Sequence, residues 1–382
     1  MSEYQYYEFQ AIDKRLTDKE KQEIRKLSSR VQPTDTTASF EYSYGDFRHD
    51  PYQVLLRYFD VMLYIANWGT HQLMFRFPKG AIPAQVMKQY QFPETMVWTQ
   101  EKEYSVLNIS FDEINNEDMW IEGDGILSEI IPVRDEILYG DYRALYLAWL
   151  ISADYEATSY GIDDDEVDLE DEELAQIIEP PVPNGLKSLS PALKSFIGFF
   201  GLSEDLVTAS AEKSDPLEKL SENLEQYLYQ LSDDEKLSFL KRILARETRL
   251  DISLANRLKE LAGEHKLAIP SAGNRTILEL FNHAEEIKKQ RLAEKKRKDA
   301  QAHQKKMEQL APQKDVLWAQ AEALIAQRKV SGYDEAIPIL KDLQALAQYQ
   351  NELTQFKEKV ATIKHTYRTL KSLLERLNRV NL

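Results

Sequence analysis

Apolar and polar positions broadly alternate along the opening EYQYYEFQAI, the spacing of a strand with one buried face. Thr17 followed by Glu20 is a capping box, and the charged run behind it through Arg30 reads as a helix. Asp50 and Pro51 supply an N-cap with proline in the first turn. The apolar run VLLRYFDVMLYIANW after them reads as a core helix stopped by Gly69. HQLMFRF, MVW and YSVLNISF read as strands, the last two parted by a charged TQEKE turn, and GILSEIIPVRDEILYGDYRALYLAWLISA reads as helix. Residues 1–160 are thus predicted to be an acidic α+β domain with a small, mostly antiparallel sheet.

Residues 161–185 break this pattern. An acidic stretch is followed by EPPVPNGL, whose prolines cannot continue a helix, so the segment reads as a linker. Strand signals then disappear. Ser190 with Pro191, Asp215 with Pro216 and Glu218, and Ser232 with Glu235 mark helix starts. The spacing of Leu217, Leu220, Leu224, Tyr227, Leu228 and Leu231, then Leu237, Leu240, Ile243 and Leu244, predicts a helical domain over 186–270. A long basic polar helix follows over 271–312, starting near Thr276 and ended by Pro312. Residues 313–382 read as a helical hairpin or bundle. Leu353, Phe356, Val360, Ile363, Tyr367, Leu370, Leu374 and Leu377 alternate spacings of three and four, which predicts an all-α region ending in a long heptad-patterned helix. Its seam packs on the helices of 315–348 or pairs two copies into a homodimer.

Composition narrows the chemistry. The chain has 382 residues and no cysteine, which removes disulfides, thiolate metal sites and cysteine nucleophiles. The polar, aromatic opening lacks the basic and apolar regions of a secretory signal, and no apolar run reaches the ~20 residues of a membrane span. A cytoplasmic location without membrane contact is expected. Of the net charge of −16, residues 1–200 carry −19 and the remainder +3. The front half therefore repels nucleic acid, and only the back half holds basic runs.

MSEYQYYEFQAID at the start, NWGT before LMFR, and YDEAIPILKDLQALA through LKSLLERLNRVNL at the end resemble a family of uncharacterised bacterial proteins encoded beside SWIM zinc-finger proteins. The resemblance brings no activity to any residue. It implies a protein partner, with a zinc-finger protein as one candidate; this chain cannot itself be the finger, which needs cysteine ligands. YDEAIPIL is also similar to one tetratricopeptide helix, but Pro338 is expected to interrupt it and no second copy lies ~34 residues away.

Three stretches are candidates for contact. In GIDDDEVDLEDEE the candidate contact acids are Asp163, Asp164, Asp165, Glu166, Asp168, Glu170 and Asp171, with Glu172 and Glu173 behind them. A calcium loop fails there because Val167 takes a ligand position and Asp168 the place of the glycine. The stretch is either a self-repelling linker or a contact segment for a basic partner, the chain's own basic helix included. In KKQRLAEKKRKDAQAHQKK the bases are Lys288, Lys289, Arg291, Lys295, Lys296, Arg297, Lys298, Lys305 and Lys306, against only Glu294 and Asp299. These suit a solvated face, an acidic protein surface or a phosphate backbone, although no aromatic side chain is present to stack on bases. In FEYSYGDF, Tyr42, Tyr44 and Phe47 suit either a recognition surface or a packed sheet edge.

No catalytic, metal or cofactor residue is assigned. The six histidines are scattered, without the i, i+4 pair of a zinc protease, and no nucleophile elbow, P-loop or dinucleotide fingerprint occurs. The expectation is a non-catalytic interaction or scaffold protein. Its rivals are a nucleic-acid accessory protein using 288–306 and an enzyme with a site near His49 or His71.

Overall fold

The computed structural model describes residues 4–112, 123–159, 177–217, 224–245, 249–262 and 275–382. Six strands form one sheet: β1 (Gln5–Gln10), β2 (Thr37–Tyr42), β3 (Val61–Ala66), β4 (His71–Pro78), β5 (Met96–Gln100) and β6 (Tyr104–Phe111). Their order is β2-β1-β3-β4-β6-β5, antiparallel throughout. The α+β front and all-α back are as the sequence predicts. The chain divides into two units, Met1–Ile287 and Lys288–Leu382.

Both faces of the sheet are covered. Leu63, Phe75, Phe77, Leu107 and Ile109 pack in one buried cluster with side chains of α4 (Ile126–Ile130), α5 (Pro132–Leu138), α6 (Arg143–Ser159), α7 (Pro191–Phe200) and α8 (Glu204–Ala211). Ile277 and Leu280, from the start of the long helix, join the same cluster. The helices after the linker therefore share a core with the sheet. On the other face Phe9, Phe40, Met62, Met74 and Val106 meet Ile24 of α1 (Asp18–Arg25) and Leu55 of α2 (Pro51–Tyr58). A further helix, α3 (Ala84–Tyr90), contributes Val86, Met87 and Tyr90 to the first cluster.

Caps fall where expected. Thr17 and Glu20 exchange the two hydrogen bonds of a capping box, and the Asp50 side chain accepts from the Tyr52 amide. Two helix lengths need correction. α1 stops at Arg25 rather than Arg30. The helix expected through Trp68 ends at Tyr58, where Phe59 turns extended, and its second half is strand β3. β3 lies inside the sheet with both faces buried, so VMLYIA carries none of the alternation that separates strand from helix.

The turn between α2 and β3 is pinned by charge. Asp60 accepts hydrogen bonds from the amides of Ile12 (2.6 Å) and Asp13 (2.9 Å) and pairs with Arg76 at 2.7 Å. Arg134, fully buried on α5, donates to both Asp13 carboxylate oxygens (2.9 and 2.7 Å) and to the Arg76 carbonyl (2.8 Å). Burial alone would raise the Asp60 carboxyl. The adjacent Arg134 and Arg76 outweigh that and hold it below the usual carboxylate range.

Beyond α9 (Asp233–Leu244) and α10 (Leu250–Leu261) runs the 34-residue helix α11 (Ile277–Leu310). The second unit then builds its core from α12 (Lys314–Ala326), α13 (Val330–Tyr349), α14 (Leu353–Thr366) and α15 (Lys371–Arg379). Gly332 lets α12 and α13 approach, since a Cβ there would lie 2.6 Å from the Leu324 carbonyl. α13 runs through Pro338 without interruption, contrary to expectation. The final seam is also not one helix. α14 ends at Thr366, Leu370 leaves the helical conformation (φ −90°, ψ 77°), and α15 restarts at Lys371. Phe356, Val360, Ile363 and Leu377 are buried as the seam predicts, but Leu373 replaces Leu370 and Leu374, which are only half-buried. An unbroken helix over 353–379 would run ~40 Å, longer than the ~30 Å of α13. The break lets both pieces pack on α13, and Arg376 of α15 pairs with its Asp334 at 2.7 Å.

Candidate functional site

α11 starts at a built cap. The Glu279 amide donates to Thr276 Oγ1 (3.2 Å), and the Thr276 amide donates to the Glu279 carboxylate (2.9 Å). Ile277, Leu280 and Ala284 are buried, and then every residue over 288–306 is exposed. This stretch is Lys, Arg, Glu, Gln and Ala almost throughout, strong helix formers that need no packing face, and Glu294 pairs with Lys298 one turn on at 2.8 Å. Met307 is buried again, and Lys306 pairs with Asp342 at 2.7 Å.

The helix arranges the nine bases in a way composition does not show. Lys288, Arg291, Lys295, Lys298 and Lys305 follow one another at three, four, three and seven residues. They form a single lengthwise row, with successive bases ~5 Å apart in rise where the spacing is three or four. Lys306 continues that row, whereas Lys289 and Lys296 lie off it to one side and Arg297 lies on the opposite face. The opposite side holds Gln290, Ala293, Ala300, Gln301 and Gln304. Glu294 and Asp299 border the row, so the exposed helix is basic by excess, nine bases against two acids, and can lie along a linear run of negative charge.

The aromatic candidate divides. Phe47 is buried among Tyr7 and Phe40, with ring centroids at 5.1 and 4.8 Å, so it is core and not surface. Tyr42 is half-buried, and only Tyr44, 80% exposed, stands open. The segment is the packed-edge alternative, because β2 is an edge strand and Gln5 ties the following loop through Asp46 at 2.7 Å.

The acidic candidate, Asp163, Asp164, Asp165, Glu166, Asp168, Glu170 and Asp171, lies outside the described residues. The chain after it is anchored. Ile177 accepts from the Ile277 amide (3.0 Å), and Glu179 donates its amide to the Arg275 carbonyl (2.9 Å). The buried Glu179 carboxylate takes two hydrogen bonds from Arg275 (2.9 and 2.6 Å) and one from Tyr146 (2.5 Å). The linker is thereby fastened to the start of α11, which Pro-rich composition alone did not suggest.

A further surface was missed. Leu237, Leu240, Ile243 and Leu244 of α9, whose spacing marks a helix, are 50, 57, 58 and 84% exposed. Periodicity marks an apolar face but not the direction in which that face points.

Among the described residues the histidines offer no assembled acid–base site. His71 is buried edge-on against Phe199 (5.0 Å), and burial pushes its imidazole down to about 4. His49 stacks beside Phe47, and His283 pairs with Glu212 at 2.7 Å rather than with Glu286, 3.7 Å away. Among the described residues no group of three His, Asp or Glu side chains has metal-ligand geometry, and no helix is long and apolar enough to cross a membrane. Comparison with known protein families, curated proteins and solved structures finds nothing that matches this chain.

Proposed function

We propose that the protein is a non-catalytic interaction protein that docks an acidic protein surface along the basic row of α11. The observation that carries this reading is the uninterrupted exposure of 288–306 with six of its nine bases, Lys288, Arg291, Lys295, Lys298, Lys305 and Lys306, on one side. A helix that buries no side over 288–306 and carries nine bases against two acids presents an excess of positive charge that a partner of opposite charge fits. A protein partner fits better than nucleic acid, because the segment offers no aromatic platform for bases.

The test is amine-reactive crosslinking of the tagged chain in its own host, followed by nuclease treatment and mass spectrometry. Crosslinks from Lys288, Lys289, Lys295 or Lys296 to another protein, surviving nuclease, support the reading. Crosslinks that avoid these lysines, or material that vanishes with nuclease, overturn it, and the second result favours a phosphate backbone.

A further inference from the structure

α9 is built inside out. Its half-buried positions are Glu235, Phe239 and Arg242, spaced four and three residues along one side. That side meets α10: Glu235 accepts from Arg257 at 2.7 Å, and Arg242 donates to Ser253 at 3.2 Å. The other side carries Leu237, Leu240 and Leu244 at the same helical spacing, with Ile243 beside them, all at least half exposed. A helix normally turns its aliphatic stripe inward and its charges outward, so the reversal leaves a contiguous apolar strip in water.

We propose that this strip is a self-association surface, on which α9 of one chain packs antiparallel against α9 of a second copy. The charge pattern selects the occupant. Asp234 lies in the first turn and Lys241 toward the last, on the same flank of the strip, while Asp233 is paired with Lys236 of its own helix at 3.3 Å. Reversing the helix about a two-fold near its middle sets Asp234 of each copy beside Lys241 of the other and opposes the two helix dipoles. The strip is therefore complementary to itself, which an isologous interface requires and which closes at a dimer. The C-terminal seam cannot serve in its place, because Phe356, Val360, Ile363 and Leu377 are already buried within the second unit. A strip of twelve residues, ~18 Å long, falls short of a standard interface, so the dimer is weak and exchanges with monomer at about micromolar concentration.

Sedimentation velocity of the full chain from about 1 to about 200 µM tests this. The expected result is a concentration-dependent monomer–dimer equilibrium. Leu240→Asp, on a face that packs on nothing described in the monomer, raises the dissociation constant at least about tenfold and leaves the thermal midpoint unchanged. Asp234→Lys weakens the dimer as well, and adding Lys241→Asp restores it, a rescue that damage to the fold would not produce. A wild-type chain that stays monomeric throughout overturns the proposal. If Leu240→Asp then lowers the thermal midpoint, the strip is covered by the chain's own residues; if it does not, a different protein is the occupant. A dimer that Leu240→Asp leaves intact also overturns it.

Discussion

Replacing His71 by Leu removes the one buried histidine among the described residues and should make the first unit less acid-sensitive. His71 opens β4, is 2% exposed, and has no hydrogen-bond partner on either ring nitrogen among the described residues. Burial lowers its imidazole from 6.5 to about 4. The folded-state value is below the unfolded one, so between these limits the unfolded chain binds the extra proton. Stability from this group is complete above pH ~6.5 and is lost as pH falls toward 4, by about 3 kcal/mol in all and about 2 kcal/mol by pH 5. Leu also removes two buried unpaired polar atoms and is near in volume, so at pH 7.5 the variant should match or exceed the wild type by about 1–3 kcal/mol. Urea denaturation followed by tryptophan fluorescence reads this out, in a Trp318→Phe background so that the signal arises from the first unit. The gap between variant and wild type should widen by about 2 kcal/mol from pH 7.5 to pH 5. A gap constant over that range, or a variant less stable at pH 7.5 by more than about 1 kcal/mol, would show that His71 has a partner or access to solvent and would refute the reasoning.

Other substitutions test other parts of the structure. Arg134→Met leaves Asp13 and Asp60 short of a buried counter-charge and should lower stability by about 3–5 kcal/mol, measured as a shift in urea midpoint. Leu377→Ala should cost about 2–5 kcal/mol and the half-buried Leu374→Ala clearly less; equal losses would argue for a continuous heptad helix. Gly332→Ala drives a Cβ onto a backbone carbonyl and should cost about 1–3 kcal/mol in a thermal melt.

What the sequence made legible follows from how local each signal is. The caps at Thr17, Asp50, Ser190, Ser232 and Thr276 were readable because a side chain and an amide two or three residues on decide them. Val61–Ala66 was not, because a strand covered on both faces loses its alternation. The break at 367–370 escaped for a related reason. Leu370 and Leu374 keep heptad spacing, but which leucine is buried depends on the length of α13, a tertiary fact. The site shows the same division. The basic run was plain as composition, while its alignment into one row needed helical phase. The burial of Phe47, the fastening of Glu179 to Arg275 and the outward face of α9 depend on residues far apart in the chain.

The central claim is that the α11 row is a protein-docking surface, and the most direct measurement is a paired affinity purification. The tagged wild type and the variant Lys288→Gln, Arg291→Gln, Lys295→Gln, Lys298→Gln are recovered from the same host with nuclease present, and their partners are compared by quantitative mass spectrometry. Glutamine keeps the helix, so circular dichroism should not distinguish the two chains. The account predicts at least one acidic protein enriched with the wild type and depleted about tenfold or more with the variant, the loss of several charge-assisted contacts. Identical partner sets from both chains would contradict it.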